Sequence, residues 1–208
     1  MKAIVMLMLL GTAAAAQPDP ATRPPDTMVV AGVDDSPRRG TWVEAALGVF
    51  TAMGGTRTFS SGQPYLAMSL GRDLGARASI FASLGLGAAS ASCYQRSPGG
   101  DSCLGADSFG ATFIELGFAY RFGIAPRTTL SAKLLGGFTD LSPGPVQSHG
   151  VVPDHVPGVH AGGGLALDFD TRLDHFAVGI DAVFRETFAR YSLRLPSLAV
   201  MPRVRYVF

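Results

Sequence analysis

Charged residues are scarce in this chain of 208 residues, where they make up 16% of the sequence against about 25% in an average soluble domain. The 17 basic and 16 acidic side chains nearly cancel, so no excess of positive charge is available for binding nucleic acid. Hydrophobic residues make up 47% of the sequence, which excludes a disordered protein. The length indicates a single domain, with room for a tail.

Long hydrophobic runs are missing as well. The apolar segment at the start, residues 3–10, is shorter than the roughly 20 residues that a transmembrane helix needs, and no comparable run follows. Residues 1–16 instead have the layout of a secretory signal peptide, with Lys2 before the apolar segment and small residues for a cleavage site, Ala14, Ala15 and Ala16, directly before Gln17. We therefore predict an exported protein without a transmembrane helix.

Residues 17–40 are rich in proline and poor in hydrophobic pattern, which predicts a flexible tail rather than a folded element. From residue 41 onward the dominant signal is an alternation of apolar and polar or small residues with period two, typical of β-strands. In the segment 108–122, for example, Ile114 and Leu116 alternate with Glu115 and Gly117. The alternating segments are 41–53, 64–72, 77–89, 108–122, 128–139, 158–169, 175–186 and 197–208.

The connections between these segments alternate in length. Those after the second, fourth and sixth segments are short, whereas those after the first, third, fifth and seventh are longer and rich in Gly, Pro and Ser. Short turns on one side and long loops on the other are typical of outer-membrane barrels with an even number of strands. A soluble lipocalin-like barrel is the alternative. Aromatic residues at the ends of the apolar face favour the membrane barrel, because they resemble interfacial girdles.

The last segment alternates up to the final residue, with Val204, Tyr206 and Phe208 on one face. This ending resembles the signal that the barrel-insertion machinery reads in outer-membrane proteins. Residues 41–208 as a whole resemble the small eight-stranded outer-membrane β-barrel proteins of Gram-negative bacteria. The resemblance implies an all-β, eight-stranded antiparallel up-and-down transmembrane barrel in contact with outer-membrane lipid, with the N-terminal tail and the C-terminus in the periplasm.

The face opposite the apolar one carries charges that would point into the barrel. Four acids and four bases balance there, with His160 nearby: Glu44, Glu115, Asp168 and Asp181 against Lys133, Arg185, Arg203 and Arg205. Because eight strands leave room for side chains and little else inside, we predict a salt-bridge network that fills the lumen. A narrow path for water or protons through these charges is the alternative.

Two cysteines, Cys93 and Cys103, are present, and both fall in the second long connection. An exported protein matures in an oxidising compartment, so we predict a disulfide between them. This disulfide either prepares the loop for a partner or only stabilises it, and the sequence leaves both readings open.

Histidines in the third long connection are the remaining candidates for chemistry. His149, Asp154 and His155, with His160 just inside the next strand, form a loose set that could bind a divalent metal. Ser148, His149 and Asp154 have the residue types of a hydrolase, but we expect neighbours on one loop not to face each other. We therefore predict no catalytic, metal-binding or cofactor-binding residue.

The function predicted from the sequence is that of a non-catalytic outer-membrane barrel, a structural or partner-binding component of the cell envelope that contacts envelope proteins through its loops or tail. Alanine- and glycine-rich strands and a preference for arginine over lysine give a weaker resemblance to the envelope barrels of myxobacterial gliding motility, which implies a motility or envelope-spanning complex. A lipid A-modifying enzyme and a narrow channel are the alternatives.

Overall fold

The computed structural model describes residues 39–55, 59–90, 93–100, 102–173 and 175–208. The predicted signal peptide and nearly all of the predicted tail lie outside this part of the chain. The strands of the described part are β1 (Thr41–Ala52), β2 (Gln63–Asp73), β3 (Ala78–Ser90), β4 (Gln95–Arg96), β5 (Cys103–Leu104), β6 (Ser108–Ala125), β7 (Thr128–Ser142), β8 (Val156–Asp170), β9 (Phe176–Ala189) and β10 (Leu193–Val207). No described residue belongs to a helix that is long and apolar enough to cross a bilayer.

Eight of these strands form one closed antiparallel barrel in the order β1, β2, β3, β6, β7, β8, β9 and β10. The first and last strands close it, with Trp42 opposite Val207 and Ala52 opposite Ser197. The two short strands β4 and β5 form a separate hairpin. The predicted fold, an eight-stranded antiparallel up-and-down barrel, is confirmed.

The two ends of the barrel differ. Residues 74–77, 126–127 and 171–175 connect strands at one end, which we call the turn end. The opposite end, the loop end, carries the long connections 53–62, 91–107 and 143–155.

The connection between β9 and β10 corrects one expectation, because it consists of residues 190–192 only and is not a long loop. Tyr191 and Ser192 have positive φ angles of 62° and 56°, the backbone of a tight hairpin turn whose twist matches that of the strands. Pro196 lies within β10. Its carbonyl accepts a hydrogen bond from the Met53 amide at 2.7 Å. The side of Pro196 that lacks an N–H therefore faces Met53, just beyond the end of β1, so the ladder bond that proline cannot form lies at the end of this strand pair.

The outer surface of the barrel is apolar. Large hydrophobic side chains such as Leu116, Leu134 and Phe138 point outward, with exposed fractions of 72%, 68% and 68%. At the turn end, aromatic rings pack in a row, with centroid distances of 5.0 Å for Phe176 and Tyr206 and 5.1 Å for Tyr206 and Phe208. An exposed apolar belt bordered by aromatic rings is suited to a bilayer and not to water.

The inner surface holds large side chains that the sequence analysis did not assign to it. Besides small and charged residues, six buried aromatic residues point into the lumen: Trp42, Phe50, Tyr65, Phe81, Phe109 and Phe113. Glycines make room for them. A Cβ atom on Gly117 would lie 2.2 Å from Cζ of Phe81, and one on Gly85 would lie 2.0 Å from the Tyr65 hydroxyl. The expectation of polar or small residues opposite the apolar face was therefore wrong at these six positions.

Candidate functional site

The charges in the turn-side half of the lumen form one connected group, which we call the turn-side cluster. Its members come from five strands: Glu44, Lys133, Asp168, Asp181, Arg203 and Arg205. Arg203 is central. Its Nη1 donates to Glu44 Oε2 at 2.6 Å, and its Nη2 donates to both carboxylate oxygens of Asp168 at 2.6 Å.

Two further cations complete the turn-side cluster. Arg205 Nη2 donates to Glu44 Oε2 at 2.9 Å, and its guanidinium lies 4.4 Å from the centre of the Trp42 ring. The Lys133 ammonium group donates to Asp181 and lies 3.7 Å from Glu44 Oε1. These three acids and three bases are all buried, and they neutralise one another, as burial of charge requires.

A second group, the loop-side cluster, consists of Glu115, His160 and Arg185. Arg185 Nε donates to Glu115 Oε1 at 2.5 Å, and its Nη2 donates to Oε2 at 3.2 Å. His160 Nε2 lies 3.1 Å from Glu115 Oε1, and Nδ1 lies 2.7 Å from the Thr139 hydroxyl. The two ring nitrogens of His160 therefore contact different residues, Thr139 and Glu115. The Ser83 hydroxyl donates to Glu115 Oε2 at 3.1 Å.

Aromatic rings lie next to the loop-side cluster, toward the loop end. The centroids of Phe50, Tyr65 and Phe113 are 5.7 to 6.3 Å apart. The Arg185 guanidinium lies 4.9 Å from the centre of the Phe113 ring and 5.4 Å from that of Tyr65. Cation–π contact of this kind is strongest where water is excluded. The three rings thus cover the buried cation on the loop side.

Little free space remains between the two clusters. A cavity of about 20 Å³ is lined there by Glu44, Glu115, Lys133, Asp181 and Arg185 among others. A single water molecule needs about 10 to 15 Å³ measured in this way, so the cavity has room for about one. The lumen is therefore packed with side chains at this level.

All eight charged residues proposed for the lumen point inward, and each has an oppositely charged partner in one of the two clusters. His160 joins the loop-side cluster. Sequence reasoning missed Ser83 and Thr139, which bond to that cluster. Both lie on inward rows of their strands, so the strand alternation was the signal that could have found them.

The predicted disulfide between Cys93 and Cys103 is confirmed, with the two Cα atoms 5.1 Å apart. It joins the hairpin of β4 and β5, in which Arg96 pairs with Cys103. Residues beside it contact the barrel rim. The Tyr94 ring lies 6.2 Å from that of Phe109, and the Gln95 side chain accepts a hydrogen bond from the Gln147 amide at 2.7 Å.

The third long connection differs from expectation in one contact. Ser148 Oγ lies 3.0 Å from His149 Nδ1, so these neighbours do face each other. The carboxylate of Asp140 contacts the other histidine of this connection, with Oδ2 2.7 Å from His155 Nδ1. In the part of the chain that the structure describes, no three His, Cys, Asp or Glu side chains are arranged to hold a metal ion.

The residues proposed as an assembly signal lie along the last strand. Val204 and Tyr206 are on the lipid-facing side of β10, and Phe208 follows the strand at the turn end with its ring packed on Tyr206. That the barrel-insertion machinery recognises these residues stays a prediction.

A closed eight-stranded barrel with an apolar outer belt and a filled, charge-balanced lumen defines the class of small transmembrane β-barrels. The crystal structure of Neisserial surface protein A matches with a TM-score of 0.59 and 12% identity over 81% of this chain and 97% of that chain. The crystal structure of Ail, the attachment invasion locus protein of Yersinia pestis, matches with a TM-score of 0.48 and 13% identity over 81% of this chain and 100% of that chain. No protein-family model and no curated protein matches the sequence. The chain has the fold of the small eight-stranded outer-membrane barrels.

Proposed function

We propose that this protein is a non-catalytic barrel of the outer membrane that presents its loops to protein partners in the cell envelope. Its turn end and both chain termini face the periplasm, and its long loops face outward. The apolar belt and the unequal ends of the barrel support this placement. The observation that carries the functional proposal is the packed lumen, because a barrel filled by two neutral clusters and an aromatic layer has no open route for a solute.

The loop end offers a surface for a partner. Tyr94, Gln95, Tyr191 and Arg194 line a cleft of about 300 Å³ there. The disulfide holds the first two residues beside the rim. Tyr191 is half exposed on a tight turn whose positive φ fixes its position. Exposed tyrosine and arginine on rigid supports are typical of protein interfaces.

Membrane placement is tested by fractionation and by electrophoresis with and without boiling. A closed barrel resists detergent until heated, so the unboiled protein should migrate with a lower apparent mass and fractionate with the outer membrane. Recovery from the soluble periplasm contradicts the proposal. Orientation is tested on intact cells, where protease added outside should cut the loop end only.

Partner binding is tested by crosslinking and pull-down from the native envelope. Replacing Tyr191 and Arg194 with alanine should remove the captured protein and leave the heat-modifiable barrel intact. Arg172→Ala, an exposed arginine at the turn end, is the matched control. Capture that is unaffected by the double variant contradicts a role for the cleft.

The finer form of the proposal places the barrel in an envelope-spanning or gliding-motility complex. It is supported by the position of Arg39, the first described residue, at the turn end, from which residues 17–38 extend the chain. Deleting residues 18–38 should release inner-membrane or peptidoglycan-associated proteins from the pull-down. Unchanged capture contradicts this form and leaves the role of the loops standing.

A lipid A-modifying enzyme is the second candidate, and the contact between Ser148 and His149 favours it. A serine nucleophile needs a base that is itself oriented by a third group. Within the described residues, no carboxylate pairs with His149, so we propose that the pair is not catalytic. The lipid A mass pattern should be the same for the wild type and Ser148→Ala; a mass change that depends on Ser148 supports the enzyme.

A further inference from the structure

The lipid-facing side of β2, β3 and β6 carries a groove near the turn end. Leu70, Ala82 and Leu116 stand side by side at one level of the sheet, and the small side chain in the middle leaves a hollow between two larger ones. The groove has a volume of about 510 Å³ and an almost entirely apolar lining. Its shape and chemistry suit a hydrocarbon chain.

The wall behind this groove is thin. Gly71 and Gly117 line it. An aromatic ring packs against the inner side of each glycine and occupies the space that a side chain would need. A Cβ atom on Gly71 would lie 2.2 Å from Cζ2 of Trp42. Trp42 is the one tryptophan of the sequence, so its indole ring is placed directly behind the groove.

A cation without an internal partner marks the turn-side end of the groove. Arg72 lines the groove and points outward. The adjacent acid, Asp73, is already engaged, because it accepts from Arg121 Nη2 at 2.5 Å and from the Gly40 amide at 3.3 Å. Among the described residues, Arg72 and Arg77 have no ion-pair partner. Their charges are therefore available to a ligand outside the barrel.

We propose that this groove is a binding site for an anionic glycerophospholipid, with an acyl chain between Leu70 and Leu116 and the phosphate at Arg72. The proposal rests on the proposed membrane placement, because the turn end then lies at the level of the periplasmic headgroups. A single interfacial arginine favours anionic lipid by about 1 kcal/mol. That corresponds to a preference of about five-fold over a zwitterionic lipid.

The site is tested through Trp42 fluorescence in vesicles that contain brominated lipid, since bromine quenches tryptophan nearby. The protein is reconstituted in mixtures of phosphatidylglycerol and phosphatidylcholine, with one of the two brominated at a time. We expect phosphatidylglycerol to be preferred about five-fold near Trp42. Arg72→Gln should bring the preference close to one, and Ala82→Phe should reduce quenching by both lipids.

Matched controls separate the groove from general contact with lipid. Arg172→Gln removes another exposed turn-end charge, and Ala182→Phe adds the same bulk between Leu165 and Val200 on the far side of the barrel. Both should behave as the wild type. Equal quenching by the two lipids in the wild type, or the same loss in Arg72→Gln and Arg172→Gln, overturns the proposal. Exclusion of both lipids from the groove, as a bound protein would cause, also overturns it.

The quenching experiment is repeated in neutral detergent micelles. This repeat distinguishes failure of the groove proposal from failure of the proposed membrane placement. Binding in micelles needs the folded barrel but no insertion. A protein that never enters vesicles contradicts the proposed function. A folded protein that responds equally to both lipids in micelles contradicts the groove.

Discussion

Arg203 and Glu44 are 159 positions apart in the sequence, and yet the arginine Nη1 donates to the glutamate Oε2 at 2.6 Å. The bond crosses the seam between β10 and β1, and the arginine side chain is 0% exposed. Removing the cation alone leaves buried acid without compensation. We expect Arg203→Met to lower the free energy of unfolding by about 3 to 5 kcal/mol, measured by denaturant titration in detergent micelles.

A second substitution checks that charge balance is the cause. Asp168 bonds to Arg203 through both carboxylate oxygens, so Asp168→Asn in the Arg203→Met background restores neutrality and should recover part of the loss. Arg194→Met is the control, because its pair with Glu186 is exposed and should be worth less than about 1 kcal/mol. Equal effects of Arg203→Met and Arg194→Met argue against the interpretation.

Gly117 and Gly123 provide a matched pair on β6. A Cβ atom on Gly117 would lie 2.2 Å from the Phe81 ring, whereas one on Gly123 meets nothing within 4 Å. We expect Gly117→Ala to destabilise the barrel by about 1 to 3 kcal/mol through overpacking, and Gly123→Ala to be nearly neutral, in the same titration. If the two substitutions have the same effect, the packing of the Phe81 ring does not require glycine at position 117.

The disulfide should order its loop without being needed by the barrel. Closing so short a loop is worth about 3 kcal/mol in the chain-entropy model, but the barrel strands are hydrogen-bonded independently of it. In the Cys93→Ser/Cys103→Ser variant we expect heat-modifiable migration to persist and trypsin to cut faster after Arg96. The oxidised wild type is the control. If the variant stays protected, the contacts of Tyr94 and Gln95 order the loop instead.

The packed lumen predicts a barrel that does not conduct. The cavity between the clusters, about 20 Å³, holds about one water molecule, and Phe50, Tyr65 and Phe113 cover it. In planar bilayers, we expect no stepwise conductance from the folded wild type. Discrete steps that disappear when the sample is boiled before addition would show that the clusters form a path.

The strand positions could be predicted from the sequence because contact with lipid requires apolar side chains on the outer face of every strand. Residues such as Leu116 and Ile180 must be apolar on the outside, so alternation is regular and the segments could be marked. The charged lumen residues followed from the same alternation, since Glu115 and Asp181 fall on the opposite rows. Their pairing did not follow, because register across strands depends on the closed sheet.

The inner aromatic residues escaped prediction for a related reason. Phe50 and Tyr65 lie on inward rows that also hold small residues such as Ala46 and Ala67, and a hydrophobic ring in such a row resembles the outer face. Glycines on β3 leave the space that these rings occupy: a Cβ atom on Gly87 would lie 2.9 Å from Cδ2 of Tyr65 and 3.3 Å from Cγ of Phe50. This packing of a ring against a glycine involves residues on different strands. It therefore depends on the register of the sheet and could not be predicted from the sequence pattern.

The seam bond between Arg203 and Glu44 also ties the charge balance of the lumen to closure of the sheet. Glu44 lies on the first strand of the barrel, and Arg203 and Arg205 lie on the last, so this acid meets these two cations only where β1 and β10 pair. A sheet opened at this seam would separate Glu44 from both guanidinium groups. The ion pairs therefore favour the closed barrel over an open sheet with the same eight strands.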